Sequence, residues 1–225
     1  QLGGHPVTPP RPAVAAANGW LYVAWVERTP GVDLRDRVVL SRSQDGLSWS
    51  APLTLSNGLA QSRQPALGAD GDLVMAAWID EGAEGQVGAI RLSRSLDAGA
   101  HFAPYANAAP AGDTSDPAVA VKANAVAVAW SRVDGAGRAV AVTRSEDFGA
   151  NFAEVVRFPA PAGTIGYGRH PSVALGPSCV VDSLASIYLA WEQSSAAEQA
   201  EDVLFARVDA VNGGTVVQKI GRAHV

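Results

Sequence analysis

The chain has 225 residues, 48% hydrophobic and 17% charged, with a formal charge of −5. That balance excludes intrinsic disorder, and an acidic chain with no Lys/Arg cluster is a poor binder of nucleic acid or an anionic membrane surface, so neither nucleic acid nor membrane insertion is expected. The single cysteine, Cys179, excludes an internal disulfide and a cysteine-rich zinc site.

Taken in chain order, the first elements are two short apolar runs, Pro12-Ala13-Val14-Ala15 and Leu21-Tyr22-Val23-Ala24-Trp25. A third run, Val38 to Arg42, precedes a polar turn. The same order returns with Pro65-Ala66-Leu67-Gly68, Leu73 to Trp78 and Ala89 to Arg94. It returns again with Pro117-Ala118-Val119-Ala120, Ala125 to Trp130 and Val140 to Arg144. The last copy is Pro171-Ser172-Val173-Ala174, Ile187 to Trp191 and Val203 to Arg207. Weaker fourth runs close the units, as at Phe152 to Arg157 and Thr215 to Ile220. The tryptophans stand 53, 52 and 61 residues apart. Runs of this length, rich in Val, Ile, Leu and aromatics and bounded by Gly, Asp, Asn, Ser and Pro, predict strands. No stretch sustains a 3.6-residue apolar period with caps, so essentially no helix is expected. No apolar run approaches the roughly 18 residues of a membrane span. Four strands repeated at about 50 residues are the signature of propeller blades. The expected blades run over about 10–57, 62–108, 115–160 and 169–220, as one domain.

Between the third and fourth runs lies a recurrent box. Ser95-Leu96-Asp97-Ala98-Gly99-Ala100-His101-Phe102 and Ser145-Glu146-Asp147-Phe148-Gly149-Ala150-Asn151-Phe152 fit S-x-D-x-G-x-x-[FW]. Ser43-Gln44-Asp45-Gly46-Leu47-Ser48-Trp49 is the same box one residue shorter, and Val208 to Gly214 is a decayed copy. An Asp in a tight turn accepts backbone N–H groups, and Gly supplies the positive φ. Asp45, Asp97 and Asp147 recur in three units, where one site cannot use them all, so they are read as structural. These boxes resemble the Asp-box, or BNR, repeat of the sialidase-like β-propellers, over about residues 10 to 220. The resemblance implies an all-β ring of six blades, of which four are visible, with the boxes on the face opposite the active site. The terminal blades of such an arc are expected to expose apolar surface.

Loops entering the first strand and linking the second to the third would open on the other face. There, connectivity gathers Arg11, Glu27, Asp80, Asp116, Arg169 and Glu192 into a polar ring at the mouth of the channel. Arg11, Asp116 and Arg169, with Arg63, stand just before first strands; Glu27, Asp80 and Glu192 follow the tryptophans. Mutual pairing of these charges is the plainer alternative.

Sialidases hold a sialic-acid carboxylate with three arginines, since a guanidinium can grip a carboxylate bidentately. The resemblance places Arg63, in Ser62-Arg63-Gln64-Pro65, and Arg28 at two such positions. It places Asp33 as the acid and Tyr167 as the nucleophile. Gly168-Arg169-His170-Pro171 also fits x-R-x-P. The pieces are divided among units, so the expected function is an exported bacterial recognition or scaffold propeller without a complete catalytic set. The partner would be a glycan or a protein surface. The alternative is an exo-sialidase or related glycoside hydrolase whose remaining residues lie on further blades. His5, His101, His170 and His224 lack metal-ligand spacing, so neither metal nor cofactor is expected. Cys179 reads as a small buried hydrophobe.

The last six residues, Ile220-Gly221-Arg222-Ala223-His224-Val225, fit no blade pattern. The codons ATC-GGA-AGA-GCA-CAC-GTC would encode them, and that string resembles a sequencing adapter. With no methionine at Gln1, the chain is expected to be a fragment.

Overall fold

The computed structural model describes residues 11–28, 35–57, 60–81, 88–104, 106–108, 114–134, 137–159, 167–176, 186–194, 201–209 and 215–223. Among the described residues all sixteen regular elements are strands. The first set is β1 (Ala13–Ala17), β2 (Trp20–Arg28), β3 (Asp36–Ser43) and β4 (Leu53–Thr54), antiparallel in that order. The second is β5 (Gln61–Asp70), β6 (Leu73–Glu81), β7 (Ala89–Ser95) and β8 (Ala106–Asn107). The third is β9 (Thr114–Lys122), β10 (Ala125–Asp134), β11 (Gly137–Ser145) and β12 (Val156–Phe158). The fourth is β13 (Tyr167–Gly176), β14 (Ser186–Ser194), β15 (Glu201–Val208) and β16 (Thr215–Ala223). One parallel pair, Arg138 with Tyr167, joins the third and fourth sets.

The first strands β1, β5, β9 and β13 pack side by side, so the sheets radiate from them. Hairpins join the first strand to the second in the first three sheets. Asn18-Gly19, both at positive φ, makes the tight turn between β1 and β2 that this dipeptide favours.

The core is three seams between neighbouring sheets. Period-2 alternation along the second strands assigns each residue to a seam. In β6, Val74, Ala76 and Trp78 face the first sheet, while Leu73, Met75, Ala77 and Ile79 face the third. In β10, Val126, Val128 and Trp130 face the second sheet, and Ala127 and Ala129 face the fourth. Bulky residues on one face meet small ones on the next, which lets sheets close to packing distance. On the outer flank Val14 is 72% exposed, whereas its counterpart Leu67 is 9% exposed in the first seam. This is the apolar surface expected at the end of an arc.

Two boundaries differ from the sequence reading. The prolines do not open the first strands: β5 and β13 begin four residues earlier, at Gln61 and Tyr167, and β9 begins at Thr114. The ladder passes the proline through a bulge, between Arg63 and Ala66 and between Arg169 and Ser172. A proline has no N–H to give the ladder, and a bulge removes the need for one. At the other end, Gly221 to Ala223 pair with β15 as part of β16, so these residues of the supposed tail continue a strand.

Candidate functional site

The Asp-box face is a set of closed hydrogen-bond rings. Asp45 Oδ1 accepts the Ser43 hydroxyl at 3.0 Å and the N–H groups of Leu47 and Ser48 at 2.8 and 2.7 Å. The Ser48 and Leu47 N–H groups bring the Asp45 pKa down to about 2, helped by Ser43. Asp97 accepts from the His101 N–H, Ser95 and the His101 ring, and Asp147 from the Asn151 N–H, Ser145 and the Asn151 amide. Both sit well below the ordinary carboxylate range for those reasons, in the order given. The box glycines abut the preceding sheet: a Cβ on Gly99 would stand 2.9 Å from Tyr22 Cε1, and one on Gly149 would overlap Met75 Cε. Phe102 and Phe152 enter the first and second seams. Trp49, with no preceding sheet among the described residues, is 42% exposed and bonds Gly46 O instead. Arg42 and Arg94 donate to carbonyls of the next box, Ala98 and Phe148, at 2.6 and 3.0 Å. Every box carboxylate is thus committed to its own turn.

A groove of about 750 Å³ opens on this face, lined by Asp70, Gly71, Leu73, Leu96, Ala123, Asn124 and Phe148. Its polar groups are spoken for: Asp70 holds the Ala123 N–H at 2.7 Å, and Asn124 holds the Glu146 carbonyl. It offers room but no converging chemistry.

The opposite end is different. The residues before the unit prolines, Gln64, Asp116 and His170, have φ of 50°, 53° and 49°. None is glycine, and a following proline crowds this region further. Such backbone costs about 1–3 kcal/mol per residue and persists where the surroundings enforce it. The three residues are linked through Asp116. Gln64 Oε1 accepts the Asp116 N–H at 2.9 Å. Asp116 Oδ1 lies 3.7 Å from Arg11 Nη1 and 3.9 Å from His170 Nε2. His170 Nδ1 is 2.9 Å from Glu192 Oε2, which also faces Arg169 Nε at 3.4 Å. Behind them, Arg138 donates to Ser115 at 2.6 Å, and Ser115 donates to Asp116 Oδ2 at 2.9 Å. The structure therefore joins Arg11, Asp116, Arg169 and Glu192 of the expected ring into one network, and adds Gln64, His170 and Arg138. The signal that could have found Gln64 and His170 is their place directly before a unit proline; Arg138 carries no such mark.

Asp80 is corrected. It is 3% exposed and turned into the first seam, where it accepts Ser62 Oγ at 2.7 Å, Trp78 Nε1 at 2.8 Å and Arg91 Nε at 3.1 Å. The alternation of β6 that buries Trp78 buries Asp80 on the same face, so it cannot line the mouth. Glu27 is exposed opposite Arg37 and apart from the network. Arg28 pairs with Asp36 at 3.1 Å, and Arg63 with Glu81 of the adjoining strand. Asp33, Cys179 and the Tyr167 side chain lie outside the described residues.

No protein-family model matches the chain, and no curated protein matches it. Solved structures do. An α-L-arabinanase of Penicillium chrysogenum, complexed with arabinobiose, matches with a TM-score of 0.64 at 16% identity, over 92% of this chain and 65% of that one. An α-L-arabinofuranosidase of Fusarium graminearum, also with arabinobiose, gives 0.59 at 15%, over 89% and 63%. The Trypanosoma rangeli sialidase with sialic acid gives 0.61 at 11%, over 92% and 36%. The chain thus spans less than two thirds of each. These likenesses show the fold alone, a β-propeller.

Proposed function

From that propeller fold as premise, we propose that the chain is a glycan-recognition propeller of an exported protein, binding at the network of Arg11, Gln64, Asp116, Arg169, His170 and Glu192. One observation carries the reading: three non-glycine residues at equivalent positions of successive sheets are held left-handed, and their side chains join one partly exposed network. Regular strand would be less strained, and the strain directs polar groups to a common point. The glycan ligands of the neighbouring structures support the choice of ligand class.

Charge narrows the class. An acidic sugar needs arginines free to grip its carboxylate. Arg11, Arg28, Arg63 and Arg169 each face a carboxylate already. With Asp116, Glu192 and Gln64 as acceptors, the network suits the hydroxyls of a neutral sugar. A glycan array followed by titration calorimetry tests this. Neutral oligosaccharides should bind, and His170→Ala should weaken them at least tenfold. Silence toward neutral glycans alongside binding of a sialoside would overturn it.

A second reading, glycoside hydrolysis, is favoured by the placement of two carboxylates, Asp116 and Glu192, on either side of one imidazole. Release of reducing sugar that is lost in both Asp116→Asn and Glu192→Gln would establish it.

A further inference from the structure

Each seam tryptophan in the second and fourth sheets has a built-in acceptor two residues on. Trp78 Nε1 donates to Asp80 at 2.8 Å, and Trp191 Nε1 to Gln193 at 3.2 Å. In the third sheet that position is Arg132, whose side chain has donors only. The surrounding donors are nonetheless retained. Ser62, which bonds Asp80, stands opposite it across β5 and β6; Thr114 stands opposite Arg132 across β9 and β10. Opposite residues share a sheet face, as do residues two apart. Trp130, Arg132 and Thr114 therefore all face the second sheet.

Trp130 is 0% exposed and Thr114 3%. Trp130 Nε1, Thr114 Oγ1 and Arg132 Nε are all buried without a hydrogen-bond partner among the described residues. Buried donors are rarely left unmade. Glu81 and Arg63 reach the same seam, but they neutralise each other. Gly88 also lies there: a Cβ on it would stand 3.5 Å from Thr114 Oγ1.

We propose that this seam holds a small inorganic anion of halide size, bound by the Trp130 indole N–H, the Thr114 hydroxyl and the Arg132 guanidinium. The anion takes the place that the Asp80 carboxylate fills one sheet earlier. Its charge matches Arg132. Being acceptor-only, it can accept from an indole N–H, a hydroxyl and a guanidinium alike.

The test is thermal unfolding at fixed ionic strength with chloride replacing gluconate. Wild type should gain about 2–4 °C between zero and 100 mM chloride, as expected for a ligand that binds only the folded state. Arg132→Gln restores the amide acceptor of the fourth sheet. It should lose the chloride dependence and be at least as stable as wild type without chloride. Thr114→Val should reduce the chloride response, and a bromide-soaked crystal of the wild type should show an anomalous peak beside Trp130 Nε1. A chloride-independent wild type, an undiminished response in Arg132→Gln, or a water at that place in the bromide crystal would overturn the proposal.

Discussion

Replacing Asp80 with alanine distinguishes a buried organiser from a ligand-facing carboxylate. In the wild type its two oxygens take three donors, Ser62 Oγ, Trp78 Nε1 and Arg91 Nε, with only 3% of the residue exposed. Asp80→Ala removes the acceptor and leaves an indole N–H and a hydroxyl inside the seam, with a guanidinium at its edge. Breaking a buried ion pair from one side costs about 3–5 kcal/mol, because the remaining charge keeps its desolvation penalty. For a domain of this size, that lowers Tm by roughly 6–20 °C. Asp80→Asn keeps one carbonyl oxygen in the place of Oδ1, which takes both Trp78 and Ser62, and loses the charge opposite Arg91, so it should cost about 1–3 kcal/mol. Urea unfolding followed by tryptophan fluorescence reads both. Thermal unfolding of Asp80→Ala within about 1 °C of wild type, with altered ligand binding, would refute the assignment and return Asp80 to the mouth of the channel.

Other expectations follow from the same geometry. Gly149 has φ of 76°, and a Cβ there would collide with the Met75 methyl group, so Gly149→Ala should cost about 1–2 kcal/mol in urea unfolding. His170→Gly relieves left-handed strain that His170→Ala retains, so the glycine variant should be the more stable of the two, against the ordinary order, in thermal unfolding. The box carboxylates are depressed in the folded state, so their stabilisation is full above the unfolded carboxylate range and lost as pH falls through it toward the folded values, about 2 for Asp45. The triple variant Asp45→Asn, Asp97→Asn, Asp147→Asn should therefore show a flatter loss of stability between about pH 4 and pH 2 than wild type.

The repeat is legible because each sheet reuses one pattern of proline, apolar run and tryptophan, and strand alternation writes itself into sequence at period 2. The Asp-boxes are legible for a related reason: a turn that needs a serine, an aspartate and a glycine at fixed offsets admits few substitutes. The bulges are less visible. Their left-handed residues are Gln, Asp and His rather than glycine, so composition gives no sign of them, and only their place directly before a unit proline marks them. Asp80 escapes a reading by connectivity, which says which end of a strand a residue occupies, whereas its face depends on alternation from Trp78. Arg28 and Arg63 can be placed at strand ends, yet only the folded structure shows that Asp36 and Glu81 occupy them.

As a sugar site, the network around Asp116 and His170 should take neutral rather than acidic glycans. Titration calorimetry of the wild type and His170→Ala with a neutral arabino-oligosaccharide and with 3′-sialyllactose tests this most directly. Heat is expected from the neutral sugar and none from the sialoside, with at least a tenfold loss in the variant. Binding of the sialoside alone, or neutral-sugar binding unchanged by His170→Ala, would contradict it.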